Sequence, residues 1–252
     1  MTPTTIKAEY LRALAAEKAL SDRIAKLEGV EPPPVIVPPA YRPFPAPATS
    51  RTVTHSGGSL QSFVDGTPDG PIINVPNAVT GNVHLKGRHN LVFVGAQTTL
   101  KTSGSNAEAS NFYLEDSTDI VIRGFALVGD NPGNFHPGQE SQMGVASYGC
   151  QRVEVDRCAV LNVWGDGVYA AGGSAPGVNR GAGPLSDYVW THDSSFAGIG
   201  RMGIAVVNGN HVRTERCTFA NVGISILDIE VEVYRPDAGG FAVDLPDCTV
   251  DG

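Results

Sequence analysis

Residues 153–160 read VEVDRCAV, and the chain writes this octet four more times with variations: 120–127 (IVIRGFAL), 189–196 (VWTHDSSF), 212–219 (VRTERCTF) and 243–250 (VDLPDCTV). Four columns agree. The first holds Ile120, Val153, Val189, Val212 and Val243, and two residues on stand Ile122, Val155, Thr191, Thr214 and Leu245. Five on stand Phe125, Cys158, Ser194, Cys217 and Cys248; seven on stand Leu127, Val160, Phe196, Phe219 and Val250. Apolar or small residues at offsets 0, 2, 5 and 7 predict two short strands joined by a bend, with one face inward. Recurrence at a near-fixed interval marks a solenoid, in which each repeat buries its apolar face against its neighbours.

The shortest interval, Val189 to Val212, is 23 residues; the others are 33, 36 and 31, or 23 plus insertions of 10, 13 and 8. A third strand is expected about 15 residues after each anchor, at Val168 and Ala170, Ile204 and Val206, and Leu227 and Ile229. Two of these follow Asp166-Gly167 and Met202-Gly203. In the preceding turn Gly129, Asn162, Gly198, Asn221 and Gly252 recur at offset 9, and Gly and Asn suit a turn that needs positive φ. A leucine-rich repeat has a similar period, but its Leu-x-x-Leu-x-Leu frame is absent. The expected fold class is all-β: a parallel β-helix solenoid of about 23-residue rungs.

Composition agrees. Hydrophobic residues make up 41% and charged residues 17%, with 30 Gly and 18 Pro in 252 residues, a balance that suits turn-rich β structure better than a helical enzyme. A net charge of −8 argues against nucleic acid or an anionic membrane as the partner. No apolar run is long enough for membrane insertion, and the N-terminus does not resemble a signal peptide. A protein of this kind acting outside a cell would leave by lysis, by another secretion route or as part of a particle. The four cysteines have no zinc spacing, and neither metal nor cofactor is expected. Cys158, Cys217 and Cys248 fall in one inward column and are expected as reduced core thiols, because an in-register pair suits stacking better than a disulfide dihedral.

Upstream, Ile6, Tyr10, Ala13, Glu17, Leu20, Ile24 and Leu27 alternate in 4,3 spacing, the pattern of a coiled-coil helix. Ile6, Tyr10, Ala13, Leu20, Ile24 and Leu27 are the expected oligomerisation residues. Residues 31–48 (EPPPVIVPPAYRPFPAPA) contain eight prolines and read as a semi-rigid spacer. The expected organisation is a coiled-coil helix (1–30), a Pro-rich linker (31–50) and a β-helix (51–252). Leu60, Phe63 and Val64 belong to an N-terminal cap at about 58–80 that covers otherwise unpaired strand edges. Leu91 starts the first full rung, with Phe112 and Leu114 as its third strand.

The segment 60–100, followed by rungs ending in DGVY, MGIAV and ISILDIEVE, is similar to the right-handed parallel β-helix proteins of the pectate-lyase-like superfamily. Heptads, Pro-rich stalk and β-helix together resemble tail spikes, tail fibres and minor tail proteins of bacteriophages. The resemblance implies a homo-oligomer, usually a trimer, assembled in the host cytoplasm and carried on the virion. It would join other tail proteins through its N-terminal region and contact the host surface, in some members cleaving a surface polysaccharide.

Insertions at 129–142, 171–186 and 231–240 exceed a simple turn, and loops on a rigid solenoid are where binding specificity resides. Outward positions form ladders: Arg123, Asp156, His192, Glu215 and Pro246 at offset 3, and Val121, Glu154, Trp190, Arg213 and Asp244 at offset 1. Asp156 and Glu215 would lie two rungs apart, roughly 9–10 Å, a separation compatible with an inverting glycosidase pair. His192 lies between them, and Trp190 and Tyr169 are the sugar-stacking candidates. The competing reading is ordinary cross-strand pairing on a wet surface. Trp190-Thr191-His192-Asp193 is similar to the Trp-x-Asp-His segment of pectate lyases with Asp and His exchanged. The Arg-x-Pro-x-x-Arg run of that family is missing, as are the polygalacturonase signatures. A structural, host-attaching subunit is therefore expected, with a polysaccharide lyase or glycoside hydrolase as the alternative. The copy at 243–250 stops before a third strand, so an uncapped end is expected there, covered by a partner or by further chain.

Overall fold

The structure, a computed structural model, describes residues 51–174, 183–230, 243–244 and 248–251, all within one unit, Phe44–Gly252. The heptad residues, the Pro-rich spacer and the 231–240 insertion lie outside the described residues. The chain is mostly β-strand in parallel sheets with few helices, an arrangement compatible with an all-β parallel solenoid.

The N-terminal part holds β1 (Thr52–Thr54), α1 (Leu60–Asp65), β2 (Ile72–Asn74), β3 (Val79–Thr80), β4 (Val83–Lys86), β5 (His89–Lys101), β6 (Phe112–Glu115) and β7 (Thr118–Val128). Then come β8 (Val145–Tyr148), β9 (Gln151–Asp156), β10 (Ala159–Leu161), β11 (Val168–Ala171), β12 (Ser186–His192), β13 (Ser195–Ile199) and β14 (Met202–Val207). The described chain ends with β15 (Gly209–Glu215), β16 (Thr218–Val222), β17 (Ser225–Glu230), β18 (Val243–Asp244) and β19 (Thr249–Asp251).

Each strand pairs in parallel with its counterpart in the next copy of the repeat. One sheet runs β18-β15-β12-β9-β7-β10-β13-β16-β19, and a six-stranded sheet runs β17-β14-β11-β8-β6-β4. The sequence columns are the pairing columns: Leu91, Ile120, Val153, Val189, Val212 and Val243 are consecutive partners. So are Leu100, Leu127, Val160, Phe196, Phe219 and Val250. The expected third strands pair likewise, Phe112 with Val145, Val168 with Val145 and Ile204, and Ile204 with Leu227. From Leu91 to Val212 and from Leu100 to Phe219 these columns fill the core, with Ile120, Val153, Val189, Leu127 and Val160 all at 0% exposure.

The bend between the paired strands is a left-handed residue at offset 4, namely Gly124 (φ 69), Arg157 (φ 50), Asp193 (φ 51) and Arg216 (φ 50). A second such corner falls one residue before each first-column position, at Asn90, Asp119, Arg152, Tyr188 and His211. At offset 9, Asn162, Gly198 and Asn221 take positive φ, as their residue types suggest, whereas Gly129 does not. Gly129, Gly167 and Gly203 serve space rather than φ: a Cβ on Gly167 would stand 2.5 Å from the Phe196 ring, and one on Gly203 2.7 Å from the Phe219 ring. Those rings stack on each other at 4.8 Å. Glycines before the third strands let the wide aromatic pair close the corner.

At the N-terminal end, Ser59 caps α1 by accepting from the Ser62 amide, and Leu60 and Val64 are buried against the core. Gln61 binds the backbone of β4, the last strand of its sheet: its Nε2 donates to the His84 carbonyl (3.0 Å) and its Oε1 accepts from the His84 amide (2.6 Å). One side chain thereby satisfies an edge that would otherwise be open to pairing. At the other end β17 is the last described strand of that sheet, with Ile224 and Ile229 about half exposed.

Candidate functional site

The outer face of β7, β9, β12 and β15 gathers the charged candidates. Register places Arg123 beside Asp156, Asp156 beside His192, and His192 beside Glu215; Glu154 stands beside Trp190, and Trp190 beside Arg213. Asp156 and Glu215 are therefore separated by the single strand that carries His192. The wet surface expected for this face is corrected in one respect: Glu154, Asp156, His192 and Glu215 are only 3–7% exposed. The side chains leave the core side of the sheet, yet Arg and Trp side chains lie against them.

Arginine occupies the carboxylates. Arg123 donates from Nε to Asp156 (2.6 Å) and from a terminal nitrogen to Glu154 (3.0 Å), and Arg157 donates to the same Asp156 oxygen (2.8 Å). Arg213 donates to Glu215 Oε2 (2.6 Å), Arg216 pairs with Glu215 Oε1 (2.8 Å), and the Trp190 indole N–H donates to Glu215 Oε1 (3.2 Å). Arg216 also holds Asp193 through two bonds of 2.7 and 2.8 Å. Four arginines thus face four carboxylates, and a buried ion pair survives only with such complete hydrogen bonding.

His192 is the centre of the network. Its Nδ1 lies 2.7 Å from Asp193 and 3.5 Å from Asp156, and its Nε2 lies 3.3 Å from Glu154. Trp190 stacks on the ring with centroids 3.9 Å apart. Burial alone would lower the imidazole pKa, but the bonds to Glu154 and Asp193 and the nearby Asp156 charge outweigh it and raise the value. Burial likewise pushes the Glu215 carboxyl up, and the bonds from Arg213 and Arg216 overcome that and hold it below its ordinary value. Arg216 holds Asp193 well below the usual carboxylate range.

These facts bear on two chemistries. Ligand atoms of Glu154, Asp156 and His192 all lie within 4.8 Å of one another, a spacing that could hold a metal ion. Yet both imidazole nitrogens face carboxylates, which favours the imidazolium, and an imidazolium has no lone pair to give a metal. A glycosidase pair needs a carboxyl with a raised pKa as general acid. Glu215 is displaced the other way, and Asp156 is bound by two guanidinium groups.

The two sugar-stacking candidates do not share a face. Trp190 lies on β12, whereas Tyr169 lies on β11 in the six-stranded sheet, beside Tyr148 at 5.5 Å and packed with Tyr113, Met143 and Val207. Sequence reading missed Arg157 and Arg216, and took Asp193 only as the exchanged Asp of the Trp190–Asp193 segment, because offset 4 is the bend. The signal was present, since this column alternates in sign as offset 3 does. Away from the ladder, a polar groove of about 760 Å³ runs between α1 and β4, lined among others by Asp65, Asn82, Lys86 and Glu108.

Compared with known proteins, the chain matches no family model, no curated protein and no solved structure.

Proposed function

We propose that this chain is a structural subunit of a virion appendage, of bacteriophage tail-spike, tail-fibre or minor tail protein type, that takes part in host-surface attachment. In this reading residues 51–252 form a right-handed parallel β-helix shaft, the 4,3-spaced helix holds a homo-oligomer, a trimer, and the Pro-rich segment is the stalk between them. The observation that carries it is the outer ladder of the parallel stack, where Glu154, Asp156, Asp193 and Glu215 are each closed by arginine. Such a face stiffens a shaft, and the Glu215 and Asp193 carboxyls on it are held below their ordinary values, the opposite of what a general acid needs. Loops such as 129–142 are then the places for surface contact.

The alternative is a polysaccharide depolymerase acting at Asp156, His192 and Glu215, favoured by the one-strand gap between the carboxylates and the adjacent Trp190 ring. Two measurements test the proposal. Mass photometry of the intact chain is expected to give an oligomer, and a monomer contradicts the assembly. Incubation with capsule and envelope polysaccharides is expected to yield no cleavage products. Cleavage that disappears in Asp156→Ala and Glu215→Ala would establish the enzyme instead.

A further inference from the structure

The inward column at offset 5 runs Phe125, Cys158, Ser194, Cys217 and Cys248. Ser194 therefore separates Cys158 from Cys217, while Cys217 and Cys248 are neighbours. The strands that follow them pair in register, Thr218 with Thr249 and Phe219 with Val250. Neighbouring strands lie about 4.8 Å apart, within the roughly 4.4–6.8 Å between Cα atoms that a disulfide spans. None of the four cysteines is in a disulfide. Cys217 is fully buried, with its Sγ 3.3 Å from the Glu215 carbonyl, and Cys248 is half-buried, with its Sγ 3.5 Å from the Thr214 carbonyl; both pack against the same core.

We infer that Cys217 and Cys248 form a redox-sensitive staple that can bind the β19 repeat covalently to the β16 repeat. The entry point is the more accessible Cys248, whose thiolate attacks one sulfur of a low-molecular-weight disulfide such as oxidised glutathione. One glutathione thiolate leaves and a mixed disulfide forms on Cys248. The Cys217 thiolate then attacks the Cys248 sulfur and expels the second glutathione thiolate. The protein loses two hydrogens, and the oxidant becomes two molecules of reduced glutathione. In the reduced protein the adjacent Cys248 thiol and burial both hold Cys217 protonated, and burial remains once Cys248 carries glutathione, so the second step is slow. The other cysteines lack the arrangement. The column neighbours of Cys158 are Phe125 and Ser194, and Cys150 lies outside that column, with its thiol against the Tyr148 carbonyl. Burial pushes the Cys150 and Cys158 thiols up to about 11 and about 12.

The staple would fasten the described chain where it is least enclosed. Closing a loop of this length removes freedom from the opened state, and exchange of the 249–251 amides should slow by roughly tenfold or more. The test treats the native intact chain with oxidised glutathione, then applies thiol counting, intact mass and non-reducing peptide mapping. Two of four thiols should be lost, the mass should fall by two hydrogens, and one cross-linked peptide should join Cys217 to Cys248. Cys158→Ser should behave identically, whereas Cys217→Ser should retain a glutathione adduct on Cys248. Four surviving thiols, an unresolved adduct on wild-type Cys248, or a cross-link through Cys150 or Cys158 would each overturn the inference. The wild-type peptide map decides the matter even where a serine variant does not fold.

Discussion

His192 is the residue on which the outer network turns, and its protonation has a consequence for stability. Its folded-state pKa is raised above the ordinary 6.5, so its stabilising contribution is complete below that value and is lost as pH rises through the folded value. Glu215 acts in the opposite sense: its folded value is lowered from 4.5, so its contribution is present above 4.5 and is lost as pH falls through the folded value. The melting temperature between pH 4 and 9 should therefore be highest in the mildly acidic range. His192→Gln should remove the decline on the alkaline side; an unchanged alkaline decline would show that another group sets it. Gly167 makes a separate residue-scale point. Alanine there meets the Phe196 ring and the Gly203 carbonyl, both at 2.5 Å. Overpacking of this kind costs about 1–3 kcal/mol, so Gly167→Ala should melt several degrees lower, and an unaltered melting temperature would mean that the corner yields.

At the scale of the strand, the columns at offsets 0 and 7 could be read directly, because a one-residue slip would turn every apolar side chain outward. Ile120, Val153, Val189 and Val212 could be aligned by type alone, and they are pairing partners. The same register gave the order Arg123, Asp156, His192 and Glu215 along the outer face. What could not be read was the depth of that face. Asp156 was expected in water and is 3% exposed, because Arg123 and Arg157 close over it. A pattern of alternating residues fixes which side a chain points to, not how far long neighbours reach. Corner residues were harder still: Tyr188, Arg152 and Arg157 adopt positive φ although their types do not favour it. There the fixed geometry of the neighbouring repeats overrides local preference. The glycines at 167 and 203 stand in the sequence only as residues that lead into third strands, and the structure assigns them to ring clearance.

At the scale of the molecule, parallel repeats give a stack whose inner columns exclude water and whose outer ladders tie one repeat to the next. Arg152 reaches back to Asp119, Arg123 forward to Glu154 and Asp156, and Arg216 back to Asp193. Each of these bonds joins adjacent repeats, so the ladders resist fraying along the stack, the way such a one-dimensional assembly opens. This division of labour, apolar inside and ionic outside, is what the proposed shaft would need, and in that proposal the outer carboxylates are structural. Catalytic carboxylates behave differently: they are commonly held at some cost to stability, so neutralising one tends to leave the fold as stable or more so.

Thermal unfolding of Asp156→Asn beside the wild type at neutral pH separates the two roles most directly. Removing one charge from a buried ion-pair network costs roughly 3 kcal/mol, so the melting temperature should fall by roughly 6–12 °C for a unit of this size. An unchanged or raised melting temperature would contradict the structural role of the ladder and return Asp156 to the candidates for catalysis.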